Sequence, residues 1–264
     1  MKMPWPLRAY ASAFYAFLYV PIAVMVALSF NDSQIMGFPL KGFTLRWYGE
    51  AFGEGALLRA LANSFAVGIG AAVVATALAL MIALGLRHRV PFRGAVLPVI
   101  LIPIITPGIV SGLLLYVSFG VLGVPYGLST AVLAAHITWV LPFAFLTLYP
   151  RLHRFDRSIE EAAMDLGATP FVVFRRVILP LIRPAIIATL LFSFTLSFDE
   201  FIRTLFVVGS QRTTPVYLWL LIQDQMATFL PAIGVVIMLI SIVVAGFGFW
   251  VSGRAAKLAA RVEG

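Results

Sequence analysis

Ser197-Phe198-Asp199-Glu200-Phe201-Ile202-Arg203 sets two adjacent acids and one base inside an apolar run. A charge at the centre of a membrane helix costs about 2.5–3.5 kcal/mol on insertion scales, and less toward the interface. Two acids at such a depth should face a cavity or a partner rather than lipid. Arg203 is i+4 from Asp199 and i+3 from Glu200, so all three can meet on one helix face. Together they leave a single net negative charge. Two readings fit: charges turned toward a cavity or a partner, or a structural salt bridge near the outer mouth of a membrane protein. Catalytic constellations are missing. There is no cysteine, which removes thiolate nucleophiles, disulfides and Cys-ligated metals. No HExxH or GxSxG occurs, and the absence of any Gly-Lys pair excludes a P-loop. His88, His136 and His153 are too far apart in the expected topology to share a metal, so no metal site is expected. His136 falls inside an expected span. Its plain role is a neutral, hydrogen-bonded packing residue; the alternative is a pathway residue, because intramembrane ionisable groups are often functional.

The elements that must position these residues are membrane spans. The chain has 264 residues, 61% hydrophobic and 11% charged, which excludes an ordinary soluble domain. A span needs about 20 mostly apolar residues. The pattern predicts an all-α polytopic protein with six spans, at about 9–30, 60–86, 94–121, 128–149, 184–208 and 231–252, forming one transmembrane domain over 1–264. The N-terminus is basic then apolar, like a signal peptide. Its apolar run is as long as a bilayer is thick and lacks a clear small-residue cleavage site, so it reads as a retained span. Gly94 to Pro150 carries no Asp, Glu, Lys or Arg, and Gly123-Val124-Pro125-Tyr126-Gly127 is the hairpin turn within it. Pro103, Pro107 and Gly108 predict a kinked third span. Gly68-Ile69-Gly70-Ala71-Ala72 suits close packing of the second span. Asp199 lies about 15 residues past Pro184, or roughly 22 Å along a core about 30 Å thick.

Six spans put both termini on one side. Of the 19 Lys and Arg residues, only Lys41, Arg46, Arg59, Arg203 and Arg212 fall on the other. The positive-inside rule then places both termini, the basic loop Arg87 to Arg93 and the 150–183 connection in the cytoplasm. The same distribution explains the net charge of +8 as membrane topology, with lipid rather than nucleic acid as the partner. No internal repeat is visible, which argues against a stand-alone secondary transporter built from inverted repeats.

Ser158 to Pro180, SIEEAAMDLGATPFVVFRRVILP, is the long polar interruption. Ser158 and Glu161 form a capping box, so a helix should start there. Ile159, Ala162, Ala163 and Leu166 share one face of it. Gly167 supplies the left-handed turn that ends it. Thr169 and Pro170 read as the N-cap and first-turn proline of a second helix, with Phe171, Phe174 and Ile178 on one face and Pro180 limiting its run. An interfacial amphipathic helix would carry Lys and Arg on its polar face, whereas this one carries Glu160, Glu161 and Asp165.

Glu161-Ala162-Ala163, Gly167, Leu179 and Pro180 resemble the EAA loop of ABC importer permeases, whose pattern is EAA, three residues, G, nine residues, I, one residue, LP. Val177 stands where the pattern has Ile. The resemblance implies a cytoplasmic loop whose first helix, Glu160 to Leu166, sits in a groove of an ATP-hydrolysing partner. It also implies two such ATPase subunits using ATP and Mg, a second permease that is a different chain, and a periplasmic substrate-binding protein in a bacterial inner membrane. No cofactor is then bound by this chain, which is a transport subunit and not an enzyme. Over its whole length the chain resembles the second permease of spermidine/putrescine importers. Tyr15 to Pro21, Ser29-Phe30-Asn31, Gly42-Phe43-Thr44, Trp47-Tyr48, His136-Ile137-Thr138, Leu141-Pro142-Phe143 and Ser193 to Asp199 carry that likeness. In that group the acids read Asp-Asp and lie on the translocation path; here they read Asp199-Glu200, followed by Arg203. One net negative charge is a thin counter-ion for a polyamine, so a zwitterionic amino-acid derivative or opine is the alternative solute. Trp47 and Tyr48 read as interfacial anchors or as a docking point for the binding protein.

Overall fold

Apolar runs in a bilayer leave the backbone only itself to bond, and helices are the outcome. The computed structural model describes residues 4–35, 37–87, 93–224 and 228–260. Twelve α-helices are seen among them: α1 (Trp5–Ser29), α2 (Arg46–Gly53), α3 (Gly55–Gly85), α4 (Arg93–Ile105), α5 (Gly108–Leu122), α6 (Leu133–His153), α7 (Arg157–Asp165), α8 (Pro170–Val173), α9 (Leu179–Phe198), α10 (Ile202–Val207), α11 (Thr214–Gln223) and α12 (Leu230–Ala260). Among the described residues, five helical stretches are long and apolar enough to span a membrane, and six if the bent α4–α5 pair counts as one. Most of the basic loop around His88 and Arg89, and the terminal residues Lys2 and Arg261, lie outside the described residues.

The chain separates into two compact units, residues 1–58 with 217–242, and residues 59–216 with 243–264. In the first unit, Asn31 organises the loop after α1. Its carbonyl accepts the Trp47 indole N–H at 2.7 Å, its Oδ1 accepts the Lys41 N–H at 2.8 Å, and its Nδ2 donates to the Gly37 carbonyl. Trp47 is 2% exposed, and the Arg46 guanidinium lies over its ring. Tyr48 shares a hydrogen bond with Ser29. This corrects the reading of Trp47 as an anchor or docking residue: it is the core of the loop, held there because a buried indole N–H needs an acceptor.

In the second unit, Ala83, Phe145, Leu148, Leu152, Ile178 and Ile182 form a continuous core between α3, α6 and α9. The Phe194 ring packs on Gly68, and Ala71 and Ala72 are buried, as the small-residue run predicts. Two spans depart from expectation. The third is bent by 105° between α4 and α5, far more than a kink. Pro107 has no N–H to offer the Pro103 carbonyl, so the ladder stops at Thr106 N–H to Ile102 O. The fifth starts earlier and ends sooner. Pro180 does not stop the second loop helix. A π turn at Phe174–Ile178 precedes it, and the helical path runs from Pro170 to Phe198. The chain then breaks at Asp199-Glu200-Phe201 and resumes as α10. The apolar helix α11, by contrast, falls in a stretch expected to be only a connection.

Candidate functional site

The EAA stretch folds as helix, bend, helix. Asp156, not Ser158, caps α7: its Oδ1 accepts the Ser158 N–H at 2.9 Å, and that bond holds its carboxyl below the usual carboxylate range. The helix therefore starts earlier than the capping box predicts, because Asp156, an equally good cap, takes the free N–H of Ser158. At the other end Gly167 has φ +84°. Its N–H donates to Met164 O at 2.8 Å and the Ala168 N–H to Ala163 O at 3.1 Å. This is the full Schellman arrangement, which only a residue at ease with positive φ sustains. Pro170 opens α8 behind Thr169 as expected, although the Thr169 side chain makes no capping bond.

The two faces of α7 have different fates. Ala163, with Ala168 beyond the bend, packs on the core of the second unit. Ile159, Glu161, Ala162, Met164, Asp165 and Leu166 are exposed, Leu166 at 90%. The face Ile159, Ala162, Leu166 is thus present but uncovered by this chain. Glu160 does not belong to it. Its carboxylate pairs with Arg87 at the end of α3, with both side chains largely buried. Leu179 and Pro180 sit at the start of α9, behind the π turn.

The second feature lies where two helix breaks meet. An open pocket of about 590 Å³ is lined by Ile104 to Gly108 from the α4–α5 break, Asp199 to Arg203 from the α9–α10 break, and Trp139 from α6. The three charged residues do not share one helix face, because the helix ends between them. Glu200 Oε1 accepts the Arg203 backbone N–H at 2.9 Å, and Glu200 Oε2 accepts from Arg203 Nη1 at 3.1 Å. The carboxylate thus serves a free N–H of the first turn of α10 and the guanidinium together. Arg203 stacks on Trp139, with Cζ 3.9 Å from the ring centroid. Glu200 and Arg203 are 8% and 4% exposed. Asp199 is exposed in the pocket, and among the described residues no cation pairs with it. The acidic pair therefore divides: Glu200 is neutralised in place, and Asp199 presents a carboxylate to the pocket.

His136 holds the break together. Its Nδ1 meets Ser197 Oγ and its Nε2 meets Thr204 Oγ1, each at 2.7 Å. Thr204 donates its proton to the Glu200 carbonyl, so its oxygen accepts from His136. The neutral tautomer with hydrogen on Nε2 satisfies all three groups at once. Of the two sequence readings of His136, the geometry matches the packing one. Trp139 and Thr204 escaped the sequence reading, although Trp139 lies one helical turn from His136 on the same face. Across the break, the Phe206 ring lies where a Cβ on Gly112 would be, which seats α10 against α5.

Residues 75–257 match the family described as binding-protein-dependent transport system inner membrane component. The chain belongs to this family. The permease is 35% identical over 237 residues to the spermidine/putrescine transport system permease protein PotC of Escherichia coli (strain K12), covering 89% of each chain. It is 36% identical over 221 residues to the putrescine transport system permease protein PotI of the same strain, covering 81% of this chain and 78% of that one. Among solved structures, a bacterial ABC transporter involved in the import of the acidic polysaccharide alginate aligns with a TM-score of 0.72 at 17% identity, covering 95% of this chain and 96% of that chain. The bacterial alginate ABC transporter in complex with an alginate pentasaccharide-bound periplasmic protein aligns at 0.71 and 17% identity. At that identity the likeness carries the fold. The permease is a multi-pass inner-membrane component of an ABC importer.

Proposed function

We propose that this permease carries a polyamine through an ATP-driven importer, with Asp199 as the counter-ion on its path. The carrying observation is that Glu200 and Arg203 neutralise one another, leaving Asp199 alone to face a cation in the pocket. The naming of the PotC and PotI relatives for spermidine and putrescine supports the same solute class. The partners are two ATPase subunits, a second permease of different sequence and a periplasmic substrate-binding protein. ATP and Mg are used by the ATPases, since this chain lacks a P-loop. The exposed face of α7, from Ile159 to Leu166, docks on an ATPase. Closure of the ATPases moves α7, and the helical path from Pro170 to Phe198 carries that motion to the Asp199 break. A zwitterionic solute is the second reading, favoured because Asp199 is the one carboxylate of the pocket without a cationic partner among the described residues. ATP-dependent uptake of labelled polyamine by the reconstituted complex tests the reading as a whole.

The orientation that this requires places α7 and both termini in the cytoplasm and the 31–45 loop outside. Cysteines can be introduced without background, because the chain has none. An impermeant thiol reagent applied to intact cells labels Ser33→Cys and spares Ser158→Cys. The opposite pattern contradicts the orientation.

A further inference from the structure

Arg87 is a residue that neither the EAA pattern nor the pocket accounts for. It stands just past the end of α3 and makes two contacts with α7 and one with the segment before it. Its guanidinium pairs with Glu160. Its carbonyl accepts from the Arg157 guanidinium. Its Cζ lies 5.5 Å from the centroid of the Phe155 ring, just ahead of α7. The side chains of Arg87 and Glu160 are 7% and 18% exposed, against 47% and 49% for the Arg46–Asp32 pair at the surface. Screening that makes surface pairs nearly worthless acts far less on a pair this enclosed.

Mechanically, α7 is a short rod. Its C-terminal end is fixed through the Gly167 bend to the helical path that becomes α9. Its outer face is uncovered. Ala163 packs on the core near the C-terminal end, and without a second tie at the first turn a pull on the outer face would be absorbed by local tilting of the rod. Arg87 supplies the second tie, since both its backbone and its side chain hold the first turn of α7 to the end of α3.

We propose that Arg87 is the positioning residue that locks the coupling helix to the α3 span through Glu160, so that a pull on α7 moves α3 together with α9. The inference rests on α7 docking an ATPase. Glu160 then acts within this chain rather than on the partner, while Glu161 and Asp165 remain available to it.

The test is a charge swap in the complete reconstituted complex, with three readouts: assembled permease, ATPase retained, and solute moved per ATP hydrolysed. In Arg87→Gln, Glu160→Gln, Arg87→Glu and Glu160→Arg, the amount of assembled permease falls, as for any largely buried pair that loses a member, and the complex that does assemble keeps its ATPase. Solute moved per ATP falls at least about fivefold, the lower end of measured coupling between sites. The double variant Arg87→Glu/Glu160→Arg recovers to within about twofold of wild type, because paired groups are non-additive. Three results overturn the inference: unchanged solute per ATP in the single variants, a double variant as impaired as the singles, or losses that only track assembly. If the wild-type permease retains no ATPase, the docking reading itself falls and takes the inference with it. If ATPase is retained and the variants stay coupled, the inference alone fails.

Discussion

Asp199→Asn lowers polyamine uptake by about 10- to 150-fold while leaving membrane assembly intact, the loss expected for one charge-assisted hydrogen bond of about 1.5–3 kcal/mol. The asparagine keeps the shape of the side chain and its place at the end of α9, so only the charge offered to the pocket changes. Glu200→Gln and Arg203→Gln behave differently. Each breaks a pair in which both members are largely buried within the chain, and breaking such a pair costs about 3–5 kcal/mol. The stranded Glu200 left by Arg203→Gln also stays beside the first turn of α10. Both variants therefore reduce the amount of assembled permease, and uptake falls with assembly. Uptake normalised to assembled permease separates the residues. If Asp199→Asn lowers assembly in step with the other two, all three residues are structural and the pocket has lost its counter-ion.

Gly167→Val has the second largest expected effect. An added Cβ meets no atom within 4 Å there, so crowding is not the issue. The issue is φ +84°. A left-handed conformation costs an L-residue roughly 1–2 kcal/mol, and a β-branched side chain suffers more than an unbranched one. The chain escapes by unwinding the bend, which turns the exposed face of α7 away from its set direction. Transport falls by at least about 5- to 30-fold, the kinetic equivalent of that strain, with the permease still inserted and the retained ATPase reduced. Gly167→Asn, whose side chain tolerates left-handed backbone, retains most activity. Normal transport by the valine variant contradicts the helix–bend–helix account.

The loop was legible because its punctuation is local. Gly167 and Pro170 act on the residues beside them, and their spacing survives in any context. The start of α7 was misread by the same logic, since Asp156 and Ser158 are both good caps and the sequence does not say which captures the first free N–H. The pocket was half legible. Burial cost marked Asp199 and Glu200 as unlike their surroundings, but a helical wheel assumes a continuous helix. Hydropathy does not register where a span breaks, so the exchange of partners at the α9–α10 break was hidden. Pro103, Pro107 and Gly108 signalled a bend in the third span without its size. Contacts between distant segments left no local trace at all: Arg87 with Glu160, His136 with Thr204, and Trp47 with Asn31.

The central claim is that ATP hydrolysis by a partner drives polyamine through this permease. The direct measurement is uptake of labelled spermidine by proteoliposomes holding the complete complex and the binding protein, with ATP and Mg sealed on the side of α7. The account predicts accumulation that requires hydrolysable ATP, that excess unlabelled putrescine competes away, and that Asp199→Asn lowers by about 10- to 150-fold. Accumulation driven by an ion gradient without ATP, or ATP-driven uptake of an amino-acid derivative that polyamines do not compete with, would contradict it.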